Sequence, residues 1–112
     1  MKDFEKKIDK DVVIERVNLS RATFKEANQF KAILLEDIEK KFTKIVVDIS
    51  QCEFLDSTFL GALVLAKRNI TKIGGDLKIV EPTSVFLALR EKTATLQVFE
   101  TYRNVEDAIK SF

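Results

Sequence analysis

The sequence predicts a single α/β domain in which a mixed central β-sheet is packed with about four α-helices. Short apolar runs alternate along the chain with amphipathic stretches of roughly 10 to 17 residues, which is the pattern of strands connected by helices. The first two runs, Phe4–Ile8 and Val12–Val17, lie close enough together to form a hairpin. A later run, Ile45–Val47, is unbroken and is typical of a central parallel strand covered on both faces.

The length and composition indicate one domain, residues 1–112, with a substantial core. The hydrophobic fraction is 46%, as in ordinary globular domains. Nineteen basic and eighteen acidic residues give a net charge of +1, which offers no reason to expect direct nucleic-acid binding. The first residues are charged, and the longest apolar run, Phe59–Ala66, is much shorter than a membrane span. We therefore expect a cytoplasmic protein without membrane insertion.

In the first half of the chain, a turn at residues 9–11 connects the two strands of the hairpin. A helix follows, because Thr23 and Glu26 have the spacing of a capping box. Lys40 and Lys41 suit the carboxyl end of this helix. The residues predicted to share its inner face are Phe24, Ala27, Phe30, Leu34, Leu35 and Ile38.

The second half continues the alternation of strands and helices. A central strand leads to the second helix, which Gly74 and Gly75 are expected to end. Asn104 is a suitable N-cap for the last helix. The predicted elements are the strand Ile45–Ile49, a helix from about Ser57 to Ile73, the strand Leu77–Val80, a short helix Ser84–Lys92, the strand Gln97–Phe99, and a last helix carrying Val105, Ala108, Ile109 and Phe112.

The second helix has two distinct faces when its residues are placed at about 100° intervals. Its predicted core stripe is Phe59, Leu63, Ala66, Ile70 and Ile73. The opposite side carries a hydroxyl, a small residue, two aliphatic residues and two cations, namely Ser57, Gly61, Val64, Leu65, Arg68 and Lys72. Two interpretations are open: a partner-docking face, or a solvated face with two isolated exposed aliphatic residues.

The residue types argue against an enzyme. The chain has no His, so the commonest general base and zinc ligand are missing. Cys52 is the single cysteine and is expected to be a small buried hydrophobic residue. Asp48 and Asp56 lack a third metal ligand, and Asp48 is better explained as a strand-end residue that accepts from loop N–H groups. We expect no metal and no cofactor.

The stretch Lys44–Gly61 carries the functional signal. It runs from the central strand through a loop to Asp56, Ser57 and Thr58, where the second helix begins. The first N–H groups of a helix have no partner inside it, so this position favours a negatively charged group such as a phosphate. The alternative to a phosphorylation site is that Ser57 only caps the helix with its hydroxyl.

This stretch resembles the STAS domain family, which includes the anti-sigma factor antagonists. The family signature D-[IL]-S-x-x-x-F-[IL]-D-S-[ST]-x-L-G is matched by Asp48–Ser50, Phe54–Thr58 and Leu60–Gly61. The C-terminal stretches Leu89–Tyr102 and Val105–Ala108 are similar to the end of the family pattern. The resemblance therefore covers nearly the whole chain and implies a single STAS-like domain.

The resemblance implies a protein-binding switch. Its partner would be an anti-sigma factor that is also a serine kinase, which phosphorylates Ser57 or, alternatively, Thr58. The unphosphorylated form would bind this partner and release a sigma factor, and a serine phosphatase would reset the switch. The residues expected at the partner-binding surface are Asp56, Ser57, Thr58, Gly61, Val64, Leu65, Arg68, Lys72 and Ser20.

Two departures from the family pattern bear on this expectation. Phe59 stands where the family usually has Gly, and the stretch Val17–Ser20 lacks the usual Gly and Asp. Phe59 falls on the predicted core stripe, so core packing is its expected role. The alternative function is a STAS module that is not phosphorylated and serves another assembly, such as a lipid-transport complex or a stress-sensing scaffold.

Overall fold

The computed structural model describes residues 2–82 and 99–112. The predicted helix Ser84–Lys92 and residues 97–98 of the predicted strand Gln97–Phe99 lie outside these ranges. No helix in the described ranges is long and apolar enough to cross a membrane. The elements are β1 (Phe4–Asp9), β2 (Val12–Val17), β3 (Arg21–Ala22), α1 (Phe24–Glu39), β4 (Lys44–Asp48), β5 (Phe54–Leu55), α2 (Ser57–Lys72), β6 (Asp76–Val80), β7 (Thr101–Tyr102) and α3 (Val105–Lys110).

The described residues therefore form an α/β domain with three helices, where the sequence predicted about four. The main sheet has five strands in the order β1-β2-β4-β6-β7. The β1–β2 hairpin is antiparallel, and β4 pairs in parallel with β2 and β6, so the predicted central strand is confirmed. Phe99 was predicted to end a strand but lies in a bend, because pairing with β6 begins only where Ile79 N donates to Glu100 O.

The two faces of the sheet carry different layers. Helices α1 and α2 cover one face, where buried residues of the strands and both helices form the larger core. Three aromatic rings are stacked through this core: Phe4 on Phe30 at 4.8 Å between centroids, and Phe30 on Phe59 at 5.3 Å. The predicted packing role of Phe59 is thus confirmed. Helix α3 covers the other face with a smaller apolar cluster.

Helix α1 begins with the predicted capping box, in which Thr23 is the N-cap and its backbone N–H donates to Glu26 at 2.9 Å. Ala27, Phe30 and Leu34 are buried as predicted. Phe24 was predicted to face inward but is 64% exposed, because it occupies the first helical position, ahead of the part of α1 that packs on the core.

The inner stripe of α2 is confirmed at four of its five positions: Phe59, Leu63, Ala66 and Ile70 are buried. The fifth, Ile73, is 45% exposed because it is the C-cap residue and the helix has already ended there. The predicted end of α2 before Gly74 and Gly75 is confirmed. Gly74 has φ of 81°, and a Cβ at Gly75 would lie 2.4 Å from the Thr43 carbonyl oxygen.

A buried lysine fixes α3 to the sheet. Lys78 Nζ donates to the hydroxyl and carbonyl oxygens of Ser111 at 2.7 and 3.0 Å, and it lies 4.5 Å from the centroid of the Phe112 ring. At the other end of α3, Asn104 is the N-cap, as predicted, and accepts from Asp107 N at 2.8 Å.

A buried polar cluster connects the hairpin to α1, and the sequence pattern did not predict it. Glu15 on β2 and Asp37 on α1 are almost fully buried, and the Lys6 ammonium on β1 contacts the carboxyl groups of both. Burial raises the pKa of Glu15 to about 8, and a hydrogen bond to Asp37 acts in the same direction, while Lys6 opposes both. Glu15 is therefore largely protonated at neutral pH.

This raised pKa predicts a pH-dependent stability. Between its ordinary value of 4.5 and about 8, folded Glu15 keeps a proton that the unfolded chain has released. The free energy of unfolding should therefore fall as pH rises through this window, by up to about 1.4 kcal/mol per pH unit. Urea unfolding at several pH values measures the slope. Glu15→Gln should flatten it, whereas Glu39→Gln on the exposed side of α1 should not. An unchanged slope in Glu15→Gln would contradict the assignment.

Candidate functional site

Two strand–helix units run side by side and bring their helix starts together. The short strands β3 and β5 pair in parallel, with Arg21 opposite Phe54 and Ala22 opposite Leu55. Asp56 N extends the pairing by donating to Ala22 O at 3.1 Å. Since α1 follows β3 and α2 follows β5, the first turns of both helices are held next to each other. This second sheet was not predicted, because each of its strands has only two residues.

The Asp56 carboxylate caps both helices. Its Oδ1 accepts from Phe59 N in the first turn of α2, and its Oδ2 accepts from Phe24 N at the start of α1, each at 2.8 Å. The first N–H groups of a helix have no partner within it, and its N-terminus favours negative charge. One side chain therefore satisfies two helices and fixes the distance between them.

Ser57 and Thr58 are the first two residues of α2, and both are exposed. The N-cap of α2 is Asp56, so the alternative interpretation of Ser57 as the cap hydroxyl is wrong. The Ser57 hydroxyl lies at a helix N-terminus, where an added negative charge is tolerated. The geometry places an accessible hydroxyl directly after a rigidly held carboxylate.

The outer face of α2, defined here as Ser57, Gly61, Leu65, Arg68 and Lys72, is exposed as the helical spacing predicted. Val64 was predicted on the same side but is half-buried against the larger core. Towards α1, Thr58, Gly61 and Leu65 line a shallow cavity of about 200 Å³ whose other wall includes Lys31.

Gly61 has no packing role within the described chain. A Cβ built on it would meet no atom within 4 Å. Glycine in the middle of a helix destabilises the fold by roughly 0.5–1 kcal/mol relative to alanine. The isolated domain would therefore be expected to be more stable with alanine at this position.

Ser20 lies beside the segment that leads into this site. Its side chain is exposed, and its carbonyl oxygen accepts from Glu53 N at 2.7 Å and from Phe54 N at 3.0 Å. The stretch Val17–Ser20 is thereby attached to the loop that precedes Asp56.

The remaining chemically interesting residues have structural roles. Asp48 is buried, and its Oδ1 accepts from Ser50 N at 3.0 Å, as predicted for a strand-end residue. Cys52 is buried, and burial, together with the charge of Asp48, raises the pKa of its thiol to about 12, so it is not a nucleophile at neutral pH. The described residues contain no group of three or more His, Cys, Asp or Glu side chains placed to hold a metal ion.

One part of the site was missed from the sequence. Phe24 and Phe54 are 64% and 37% exposed, and the Arg21 guanidinium carbon lies 4.3 Å from the centroid of the Phe54 ring. Together with Asp56 these residues line an open cavity of about 480 Å³ at the start of α1. Helical spacing assigned Phe24 to the core. The sequence did contain one indication that Phe24 is exposed: it directly follows the N-cap, and a side chain at the first helical position need not face the core.

The chain is similar to proteins of one family along nearly its whole length. The family model described as STAS domain matches residues 3–108. A candidate anti-sigma factor antagonist of Thermotoga neapolitana, the TM1081 homologue, is 26% identical over 108 residues, covering 96% of this chain and 95% of that protein.

The fold of the chain is also similar to solved structures. The crystal structure of TM1081 from Thermotoga maritima, also a candidate anti-sigma factor antagonist, has a TM-score of 0.84 at 25% identity, covering 96% of this chain and 92% of that chain. The Bacillus cell fate determinant SpoIIAA in its phosphorylated form has a TM-score of 0.73 at 16% identity, covering 96% and 97%. At that identity the second likeness concerns the fold alone.

The double cap can be tested by removing the carboxylate. Asp56→Ala removes the N-cap of α2, which costs about 1 kcal/mol, and also the acceptor of Phe24 N in α1, a hydrogen bond worth a similar amount, so a loss of about 2 kcal/mol is expected. Asn104→Ala, which removes the cap of α3 alone, serves as the matched control and should cost about half as much. Urea unfolding gives both values. Equal losses in the two variants would argue against the bridging role of Asp56.

Proposed function

The chain belongs to the STAS domain family, and we propose that it is an anti-sigma factor antagonist switched by phosphorylation of Ser57. In the unphosphorylated state it binds an anti-sigma factor that is also a serine kinase, and this binding releases a sigma factor. The kinase activity of the same partner then modifies Ser57, and a serine phosphatase restores the binding form. The observation that carries the proposal is the exposed Ser57 hydroxyl beside the capping carboxylate of Asp56.

The accessibility of the acceptor supports this proposal. Asp56 supplies the cap of α2, so the fold does not depend on the Ser57 hydroxyl. Phe59, which departs from the family pattern, is fully buried and stacked on Phe30, so its side chain does not cover the acceptor. The relatives named above include candidate anti-sigma factor antagonists.

The electrostatics of the site favour a switch in binding rather than in fold. A phosphate adds about −1.5 to −2 charges, which a helix N-terminus tolerates but which the adjacent Asp56 carboxylate repels. Arg68 lies 11 residues further along α2, or roughly 16 Å along the helix axis, beyond the range of a direct ion pair. The added charge would therefore remain at the edge of the outer face, where it opposes a docked partner.

The outer face of α2 is the proposed docking surface. It combines an exposed aliphatic side chain, Leu65, with the cations Arg68 and Lys72, and Gly61 permits close approach of the partner backbone. We propose a binding role without catalysis, metal or cofactor; the single thiol is buried with a raised pKa and does not supply a nucleophile at neutral pH. The alternative, a STAS module that is not phosphorylated, predicts the same docking face but no modification of Ser57.

Gly61→Ala separates binding from folding. Alanine should raise the free energy of unfolding by about 0.5–1 kcal/mol, because it favours the helix and meets no neighbouring atom. The same methyl group should weaken binding of the anti-sigma factor/kinase, measured by calorimetry. Leu65→Asp provides a reference for lost binding with little change in stability. If Gly61→Ala gains stability and binds normally, the partner does not approach α2 closely at this point.

The switch is tested by incubating the protein with the cognate kinase and ATP and locating the phosphate by mass spectrometry. Phosphate is expected on Ser57. Ser57→Ala should bind the kinase but remain unmodified, and Ser57→Asp should bind poorly, because it imitates part of the added charge. Thr58→Ala is the matched control and should still be phosphorylated.

Other results of the same experiment have definite meanings. Phosphate on Thr58 would show that the acceptor is the second hydroxyl. Normal partner binding with neither residue modified would contradict the phosphorylation switch and favour the non-phosphorylated STAS module.

A further inference from the structure

The cavity at the start of α1 is lined by more apolar surface than is usual for residues that only face solvent. It is open, measures about 480 Å³, and contains two exposed aromatic rings, those of Phe24 and Phe54. Exposed large apolar side chains grouped in a concavity are typical of protein-binding sites, where aromatic residues contribute much of the affinity. We name it the Phe24–Phe54 pocket, with the lining residues Arg21, Thr23, Phe24, Lys25, Glu26, Phe54 and Asp56.

The acidic groups of this pocket are already engaged within the chain. Glu26 accepts from Thr23 N at 2.9 Å in the capping box. Both oxygens of Asp56 accept from helix N–H groups, one in each helix. These carboxylates therefore act within the chain as acceptors for N–H groups at helix N-termini.

The basic groups of the pocket are not matched in the same way. Neither Arg21 nor Lys25 forms an ion pair with any residue in ranges 2–82 and 99–112, and both side chains are exposed. The guanidinium carbon of Arg21 lies 4.3 Å from the centroid of the Phe54 ring, within cation–π range, and a guanidinium group can bind a carboxylate through two parallel hydrogen bonds. The pocket thus offers an apolar floor with two cations at its edge.

We propose that the Phe24–Phe54 pocket binds a segment of the partner protein in which an apolar side chain is flanked by carboxylates. The apolar side chain would contact the two rings, and the carboxylates would pair with Arg21 and Lys25. Asp56 lines the pocket and directly precedes Ser57, so a partner seated there would lie next to the segment that carries the acceptor hydroxyl. The identity of the partner rests on the proposed function, whereas the chemistry of the segment rests on the pocket.

The first test measures calorimetric affinity for the cognate anti-sigma factor/kinase. Phe24→Ala, Phe54→Ala and Arg21→Glu should each weaken binding about tenfold or more, as substitutions at interface anchors do. Ile73→Ala is the matched control, because it removes an exposed apolar side chain at the far end of α2, and it should bind normally. Thermal unfolding of each variant establishes that the fold is retained.

The outcomes separate this inference from the proposed function. If Leu65→Asp loses binding while all three pocket variants bind normally, the pocket inference is overturned and the proposed function stands. If the kinase neither binds nor phosphorylates the wild-type protein, the proposed function fails and a second measurement decides the inference.

The second measurement needs no partner protein. The ¹⁵N-labelled domain is titrated with a pentapeptide that has leucine at its centre and aspartate on both sides, at millimolar concentration. Amide shifts confined to residues 21–26 and 54–56, and lost in Arg21→Glu, would support the pocket. Equal shifts with a peptide carrying lysine in place of aspartate, or no shifts in these residues, would overturn it.

Discussion

The arrangement of this domain around its site depends on one carboxylate. Asp56 accepts from Phe59 N and Phe24 N, so the first turns of α1 and α2 are attached to the same side chain. The capping charge is present whether or not Ser57 is modified. The Ser57 hydroxyl is therefore not needed to cap α2. The surface around it contains residues of both helices.

The packing below the site explains why a surface switch need not alter the fold. Phe59 begins the buried stripe of α2 two residues after Ser57, and it is stacked on Phe30 of α1. Phe4 extends the stack to the hairpin. Close-packed aromatic rings resist displacement, because any shift opens voids in the core. Under the proposed function, a charge added at Ser57 would act on the docked partner, while the helices would stay in place.

The polar side chains fall into two groups: some are hydrogen-bonded or buried within the fold, and others are exposed at the surface. Glu26 and Asp56 are hydrogen-bonded to helix N–H groups, and Glu15 and Asp37 are buried with Lys6. The exposed rim retains cations, aromatic rings and a glycine without packing contacts. The surface around the site thus exposes apolar and cationic side chains, while its carboxylates accept from helix N–H groups.

The sequence by itself determined the features that depend on neighbouring residues: the α1 capping box, the central strand, the inner stripe of α2, its glycine stop and the family motif around Ser57. The tertiary structure decided the exposure of Phe24, the burial of Asp37 and the double cap by Asp56. Phe24 and Asp56 are 32 residues apart, so no local pattern reveals that they meet. Helical periodicity describes which residues share a face, but only packing against other elements fixes how far along a helix that face is covered.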